Sequence, residues 1–255
     1  MWKEIGRLFS LLGTQGDDCR AILLKGAGKA FCSGIDISDP SFFTPSEGDA
    51  TRRGMAFLPQ IREMQKCFTA VQDCPVPVIC AIHGPCIGAG IDLACCADVR
   101  LCCADSVFSV REVRLGLAAD VGTLQRMPKI CGHDSRVREL CLTGRDFGAG
   151  EAFRIGFVSR VLPDHENLYE DALQLCFMIS KLSPVAVTGT KLSLNYSRDH
   201  SVNEGLEHVA CHNSLALLSE DLVTAFASRS PAIASSGGGA TEQALFAALL
   251  PHSRL

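Results

Sequence analysis

The chain has 255 residues, of which 47% are hydrophobic and 20% charged, and its formal net charge is −4. That is length for one large domain or two modest ones, and composition for a packed core rather than a disordered chain. The balance excludes the basic surplus of a nucleic-acid binder, and no apolar run reaches the ~18 residues of a membrane span, so neither nucleic acid nor membrane insertion is expected.

At the N-terminus, Met1-Trp2-Lys3-Glu4 lacks the apolar core of a secretory signal. Ala21–Lys25 reads as a buried strand running into Gly26-Ala27-Gly28, and Phe31–Asp36 as a tight loop. Residues 40 to 52, with Pro, Ser, Gly and Asp, read as a mobile loop. Its Arg52-Arg53, the densest basic pair, reads as a solvated helix face. From Met55 to Val71 apolar residues recur at helical spacing until Cys74-Pro75-Val76-Pro77 breaks it. Val78–Ile82 is a second buried strand, followed by His83-Gly84-Pro85 and Gly88-Ala89-Gly90. A helix from Ile91 to about Ala97 and a third strand, Val99–Cys103, come next. Strand, glycine turn and helix in alternation predict an α/β fold. Beyond Pro163 the pattern is helical over Glu166–Lys181, Pro184–Tyr196 and Val202–Ser228, with Ser183-Pro184 as a helix start. Ser235-Ser236-Gly237-Gly238-Gly239 reads as a flexible linker to the tail. Fourteen cysteines, many inside apolar runs and none in a C-x-x-C pair, suit small core residues in a reducing compartment.

Chemistry concentrates between Gly84 and Arg126. Glycines 88 and 90 flank a strand-to-helix turn whose backbone N–H groups are free to meet an anion. Asp92 follows on the first turn of that helix, and Glu112 and Asp120 come eight residues apart. Each has a plainer reading. Asp120, before Val121-Gly122-Thr123-Leu124, has the place of a helix N-cap. Asp92 suits a helix dipole. Glu112, between Arg111 and Arg114, suits a surface ion pair, and glycine also serves close packing. His208 and His212, at i, i+4, have the spacing of a metal pair, but no third ligand is evident and a surface or packing role is the readier reading. His83 stands beside the glycine turn as a further candidate.

Taken together, three ordered motifs resemble the crotonase (enoyl-CoA hydratase/isomerase) superfamily. They are Gly26-Ala27-Gly28-Lys29-Ala30-Phe31-Cys32-Ser33-Gly34-Ile35-Asp36-Ile37, the stretch Pro77–Gly84 with Gly88–Leu93, and Phe108–Glu112 with Gly116-Leu117 and Thr123–Arg126. The resemblance runs from about Met1 to Leu222. It implies a spiral of β-β-α repeats with C-terminal helices that build trimers or hexamers. It also implies an acyl-CoA substrate whose thioester oxygen sits between the N–H groups of Ile35 and Ala89, with Ser33, Gly34, Ile35, Asp36 and Ile37 lining the site. Coenzyme A would be part of the substrate, and neither a cofactor nor a metal is implied.

Asp92, Glu112 and Asp120, with Leu117–Thr123, Lys191 and Tyr196–Ser201, resemble the subfamily of Δ3,5-Δ2,4-dienoyl-CoA isomerases of fatty-acid β-oxidation. Hydratases carry Glu where this chain has Asp92 and Gly where it has Asp120. The roles implied are Asp120 as base at C2, Glu112 as acid at C6 and Asp92 in support. Enoyl-CoA hydration is the alternative enzyme reading. Relatives carry an Arg-Pro-x-x-x-Asn-Ala-like segment ahead of the helix that Trp2-Lys3-Glu4 matches, so the chain reads as an N-terminally shortened form. An impaired subunit that assembles with longer partners is therefore the non-enzyme reading. The domain expectation is a core over 1–182, a helical region over 183–228 and a tail over 229–255. Ser253-Arg254-Leu255 resembles a C-terminal peroxisomal address read by an import receptor, with mitochondria the expectation for longer forms.

Overall fold

The computed structural model describes residues 1–12, 18–36, 38 and 48–229. In chain order the first elements are α1 (Trp2–Leu12), β1 (Ile22–Lys25), α2 (Ala50–Asp73), β2 (Val78–Ile82), β3 (Pro85–Ile87) and α3 (Ala89–Cys96). Then come β4 (Val99–Cys103), β5 (Val107–Ser109), a 3-10 turn (Arg111–Leu115), α4 (Thr123–Ile130), α5 (Asp134–Thr143), β6 (Phe147–Gly148), α6 (Ala149–Arg154) and β7 (Arg160–Leu162). The helices α7 (His165–Ser180), α8 (Pro184–Ser197), α9 (Val202–Ala216) and α10 (Glu220–Arg229) follow. Contacts divide the chain into two units. One comprises Met1–Ser10, Leu23–Asp73 and Val78–Ala172; the other comprises Leu11–Ile22, Cys74–Pro77 and the chain from Leu173 on, as far as it is described.

In the first unit, the apolar run of β2 is buried at every position and pairs in parallel with β4, Ile79 opposite Val99 and Ile82 opposite Cys102. The sheet order is β1-β2-β4-β7, and a second sheet runs β3-β5-β6. Strands β2 and β4 lie in the first sheet, while the strands that follow them, β3 and β5, pair in parallel in the second. With α3 closing the first pair, this is a β-β-α turn of the expected spiral. Parallel neighbours need a crossover, and α3 supplies it. The helix ends on Arg100, a buried side chain that donates from Nη1 to the last α3 carbonyls, Ala97 (2.7 Å) and Ala94 (3.3 Å), and from Nε to Phe157 (2.8 Å). Phe108, Phe147 and Phe157 pack at ring separations of 5.3, 5.6 and 6.5 Å, which holds β5 and β6 against the segment after α6.

The cysteines behave as core residues. Cys80, Cys86, Cys95, Cys96, Cys102 and Cys103 are buried thiols outside any disulfide. Burial pushes the Cys80, Cys96 and Cys102 thiols up to about 12, so they stay protonated and unreactive.

In the second unit, Ser183 caps α8 by accepting the Ala186 N–H (3.2 Å). Lys191 is buried and donates to the Val76 carbonyl (3.0 Å). Ser201 and Glu204 form a capping box at the start of α9. The His208 ring stacks on Tyr196 at 4.2 Å, and His200 stacks on Tyr196 at 3.6 Å. His212 lies over Gly189, where a Cβ would meet its Nε2 at 2.0 Å. Packing thus accounts for the i, i+4 histidines, which belong to no three-residue metal cluster among the described residues.

Two expectations are corrected. The helix read from Met55 begins at Ala50, because the Asp49 carboxylate accepts the Arg52 N–H (3.0 Å) and caps a turn read as loop; residues 40 to 47 of that loop lie outside the described residues. The single helix read over Val202–Ser228 is two, broken at Leu217–Ser219, where Glu220 and Asp221 open α10. Among the described residues no single helix is long and apolar enough to cross a membrane. The linker at 235–239 and the tail beyond it lie outside the described residues.

Candidate active site

The loop after β1 folds against the turn that opens α3. Phe31 N–H donates to His83 O (2.9 Å), Cys32 N–H to Pro85 O (3.1 Å) and Ile87 N–H to Cys32 O (2.9 Å). Gly90 allows this approach: a Cβ there would stand 2.9 Å from the Cys32 Cβ. Gly88 sits at φ +53°, in the left-handed region that favours glycine. A Cβ on it would stand 3.2 Å from Glu112 Oε1 and 4.0 Å from Gly34 Cα. Gly34, Gly88 and the Glu112 carboxyl therefore share one small space. Ala89 is the first residue of α3, so its N–H has no intrahelical acceptor and lies at the positive end of the helix. Among the described residues no backbone acceptor engages the N–H of Ile35 or of Ala89. Ile35 and Ala89 are half-buried, while Ser33 and Asp36 are exposed. Asp36 accepts the Ser38 hydroxyl (2.6 Å) and N–H (2.9 Å), which hold its carboxyl below the usual range. Ile37 lies outside the described residues.

Glu112 is not the surface ion pair that its neighbours suggest. Arg111 reaches Asp146, and Arg114 Nε donates to the Thr143 carbonyl (3.4 Å). Glu112 Oε2 is buried without a hydrogen-bond partner among the described residues. Burial pushes its carboxyl up from the ordinary 4.5 to about 7, and the nearby charges of Asp92 and Asp120 push the same way.

Asp92 does more than face its own helix dipole. Its carboxylate, 1% exposed, accepts the N–H (2.6 Å) and hydroxyl (2.7 Å) of Thr123, the first residue of α4. The N-cap position of α4 is Gly122, which has no side chain and stands at φ +135°. Asp92 therefore supplies from another helix the cap that Gly122 cannot. Burial raises the Asp92 carboxyl, and the Thr123 hydrogen bonds partly oppose it.

The reading of Asp120 as the N-cap of α4 is thereby corrected. Its side chain is exposed and its carbonyl accepts Gln65 Nε2 (2.6 Å) from α2. Arg126 donates to Gln72 Oε1 (2.8 Å), Thr69 Oγ1 (2.9 Å) and the Val121 carbonyl (3.4 Å). Gln65, Thr69 and Gln72, spaced i, i+4, i+7, form one polar edge of α2 that holds the Asp120–Gly122 segment. Sequence reading missed all three. The signal was their spacing beside the apolar face Met64, Phe68 and Val71, which is buried.

The structure thus gathers Gly34, Ile35, Ala89, Asp92, Glu112 and Asp120 within one unit, with Glu112 beside the Gly34–Gly88 approach and Asp92 and Asp120 near enough for their charges to act on it. His83 is not among them; it is buried, with Nε2 3.1 Å from the Gly28 carbonyl.

This arrangement has counterparts. Residues 5–216 match the enoyl-CoA hydratase/isomerase family, and the chain belongs to it. The chain is 46% identical over 224 residues to the mitochondrial Δ3,5-Δ2,4-dienoyl-CoA isomerase of Mus musculus, covering 87% of this chain and 68% of that protein. It is 44% identical to the peroxisomal Δ3,5-Δ2,4-dienoyl-CoA isomerase of Arabidopsis thaliana, covering 82% and 76%. The crystal structure of an enoyl-CoA hydratase from Bacillus anthracis superposes with a TM-score of 0.78 at 24% identity, covering 89% of this chain and 84% of that one, and speaks for the fold. The expected crotonase fold and isomerase kinship are borne out.

Proposed function

We propose that this chain isomerises 3,5-dienoyl-CoA to 2,4-dienoyl-CoA by proton transfer between carboxyl groups. The observation that carries this is Glu112, a half-buried carboxyl beside Gly34 and Gly88 whose Oε2 is buried and has no hydrogen-bond partner among the described residues, held near 7 so that a proton is available to give. The names of the mouse and Arabidopsis relatives support the same reading.

In this mechanism Asp120 removes a proton from C2. Charge spreads through the diene onto the thioester oxygen, between the N–H groups of Ile35 and Ala89. Such preorganised donors are typically worth about 10²–10³ in rate each. Glu112 delivers a proton to C6, and the double bonds come to rest at C2 and C4. One proton leaves and one arrives, so the balance needs neither metal nor redox partner, and coenzyme A enters as part of the substrate. Asp92 positions rather than reacts, fixing the start of α4 through Thr123. Ser33, Gly34, Asp36 and Ile37 would line the acyl-CoA. The test is an absorbance assay of the purified chain with a 3,5-dienoyl-CoA. Growth of the conjugated 2,4-dienoyl band supports the reading, and a folded chain without turnover overturns it.

Gln65 gives a second check. Gln65→Ala frees the Asp120 carbonyl without touching the substrate. The expected result is a kcat lowered about tenfold with KM little changed, since a small misplacement of a reacting group costs up to about 10² in rate. An unchanged kcat would remove Gln65 from the machinery.

Assembly and address extend the proposal. Leu206, Leu215, Leu217, Leu218, Val223 and Phe226 are all exposed large apolar side chains in the second unit. We propose that they are covered by further copies, in a homotrimer or homohexamer. Light scattering should give three or six times the chain mass, and a monomer would refute it. Ser253, Arg254 and Leu255 lie outside the described residues, and their sequence alone supports peroxisomal import. A C-terminal mask should leave the tagged chain in the cytosol; undiminished import would show that another signal acts.

A further inference from the structure

The turn between β4 and β5 and the first residue of α7 carry a cluster that the carboxylate chemistry leaves unused. Donor atoms of Cys103, Asp105 and His165 all lie within 4.8 Å of one another. His165 Nε2 is 2.9 Å from Asp105 Oδ2. The Cys103 Sγ lies within the same 4.8 Å of both partners. Cys103 is buried, whereas the side chains of His165 and Asp105 are 53% and 54% exposed. The backbone beneath them is already fixed: Ser106 N–H donates to Cys103 O (3.0 Å), and Asp105 accepts the Gly84 N–H (3.3 Å). An ordinary surface ion pair would need only His165 and Asp105. The buried thiol, within reach of both, adds a third donor of a different chemistry.

We propose that Cys103, Asp105 and His165 form a binding site for a divalent transition-metal ion of the zinc class. Thiolate, imidazole and carboxylate are a donor set that zinc and cobalt(II) accept, whereas magnesium and calcium favour oxygen alone. Tetrahedral bond lengths of about 2.0–2.3 Å put the donors about 3.3–3.5 Å apart. The exposed His165 side chain can turn to that spacing around the fixed thiol and the Asp105 carboxylate, whose Oδ1 accepts the Gly84 N–H. On binding, Cys103 releases its proton to solvent and forms the metal–sulfur bond. His165 binds as the neutral ring, with its proton on the nitrogen away from the ion. Thiolate and carboxylate then offset the double positive charge. Three protein ligands leave the fourth position to water. His165 also lines a cavity of about 410 Å³ with Lys25, His83, Leu168 and Tyr169, which gives that water space. His83 forms a wall there, its ring 4.7 Å from that of His165 and its Nε2 directed to Gly28. An ion in this place ties the β4–β5 turn to the start of α7 and adds to stability by mass action.

The test is a titration of the full chain with Co²⁺, followed by the thiolate-to-cobalt charge-transfer absorption. A single equivalent should saturate the band, Zn²⁺ should bleach it and Mg²⁺ should not. Cys103→Ser should abolish the band. His165→Ala should weaken affinity by at least the about 10–100-fold that loss of a mere outer-shell partner costs. Melting curves without metal establish that each variant is folded; His165 is exposed, so its variant decides the matter even where Cys103→Ser does not fold. Absence of a thiolate band in the wild-type chain overturns the proposal. So does a band that both variants keep, which would place the metal on other cysteines.

Discussion

Asp120→Asn is expected to lower kcat by about 10²–10⁴-fold, the range a positioned acid–base group contributes, with KM for the acyl-CoA little changed. The substitution keeps shape and removes the basic oxygen pair. The geometry makes it a clean experiment. Asp120 is exposed, and its link to α2 runs through its carbonyl and Gln65, not through its carboxylate. The cap of α4 comes from Asp92, so the helix start is not at stake. The thermal midpoint of the variant should therefore match the wild type. Turnover near the wild-type rate would remove Asp120 as the base. A variant that melts early would show instead that its carboxylate carries structural weight.

The same residues show what could be read in the sequence. Strands β2 and β4 were legible because each is a short apolar run closed by turn residues, and α3 because Gly88-Ala89-Gly90 announces it. The three carboxylates were legible as positions but not as environments. The Asp92–Thr123 bond spans 31 residues and the Gln65–Asp120 bond spans 55, so no local pattern carries either. Glu112 looks paired because Arg111 and Arg114 flank it, yet both arginines are drawn to the segment 143–146, and the carboxyl is left in the space beside Gly88. Strands β3, β5, β6 and β7 have two or three residues each, too few for an alternation to show. The break in the helix after Ala216 falls at Leu217-Leu218-Ser219, residues without a strong breaker; the polar start Glu220-Asp221 was the available sign.

Glu112→Gln should remove most of the turnover, by about 10²–10⁴-fold, since the amide cannot deliver a proton to C6. Its pH behaviour separates that role from a structural one. In the wild type the carboxyl is held near 7, so the protonated donor is depleted as pH rises through that value. kcat/KM should fall on the alkaline side with an apparent pKa near 7, and the residual activity of the variant should lack that limb. Stability carries an independent signature. A carboxyl raised in the folded state from 4.5 to about 7 binds its proton more tightly there than in the unfolded chain. Its favourable contribution is complete below pH 4.5 and is lost as pH rises through about 7. At 1.36 kcal/mol per pH unit the loss is at most about 3 kcal/mol, and less by what solvent screens at this half-buried side chain. The wild type should thus weaken relative to Glu112→Gln between pH 4.5 and 7, and the two should differ by a constant below that window. Denaturant unfolding at pH 4.5 and pH 8 measures it. A gap between the two proteins that does not widen with pH would show that the Glu112 carboxyl is solvated in the folded chain, and with that the case for it as the proton donor would fall.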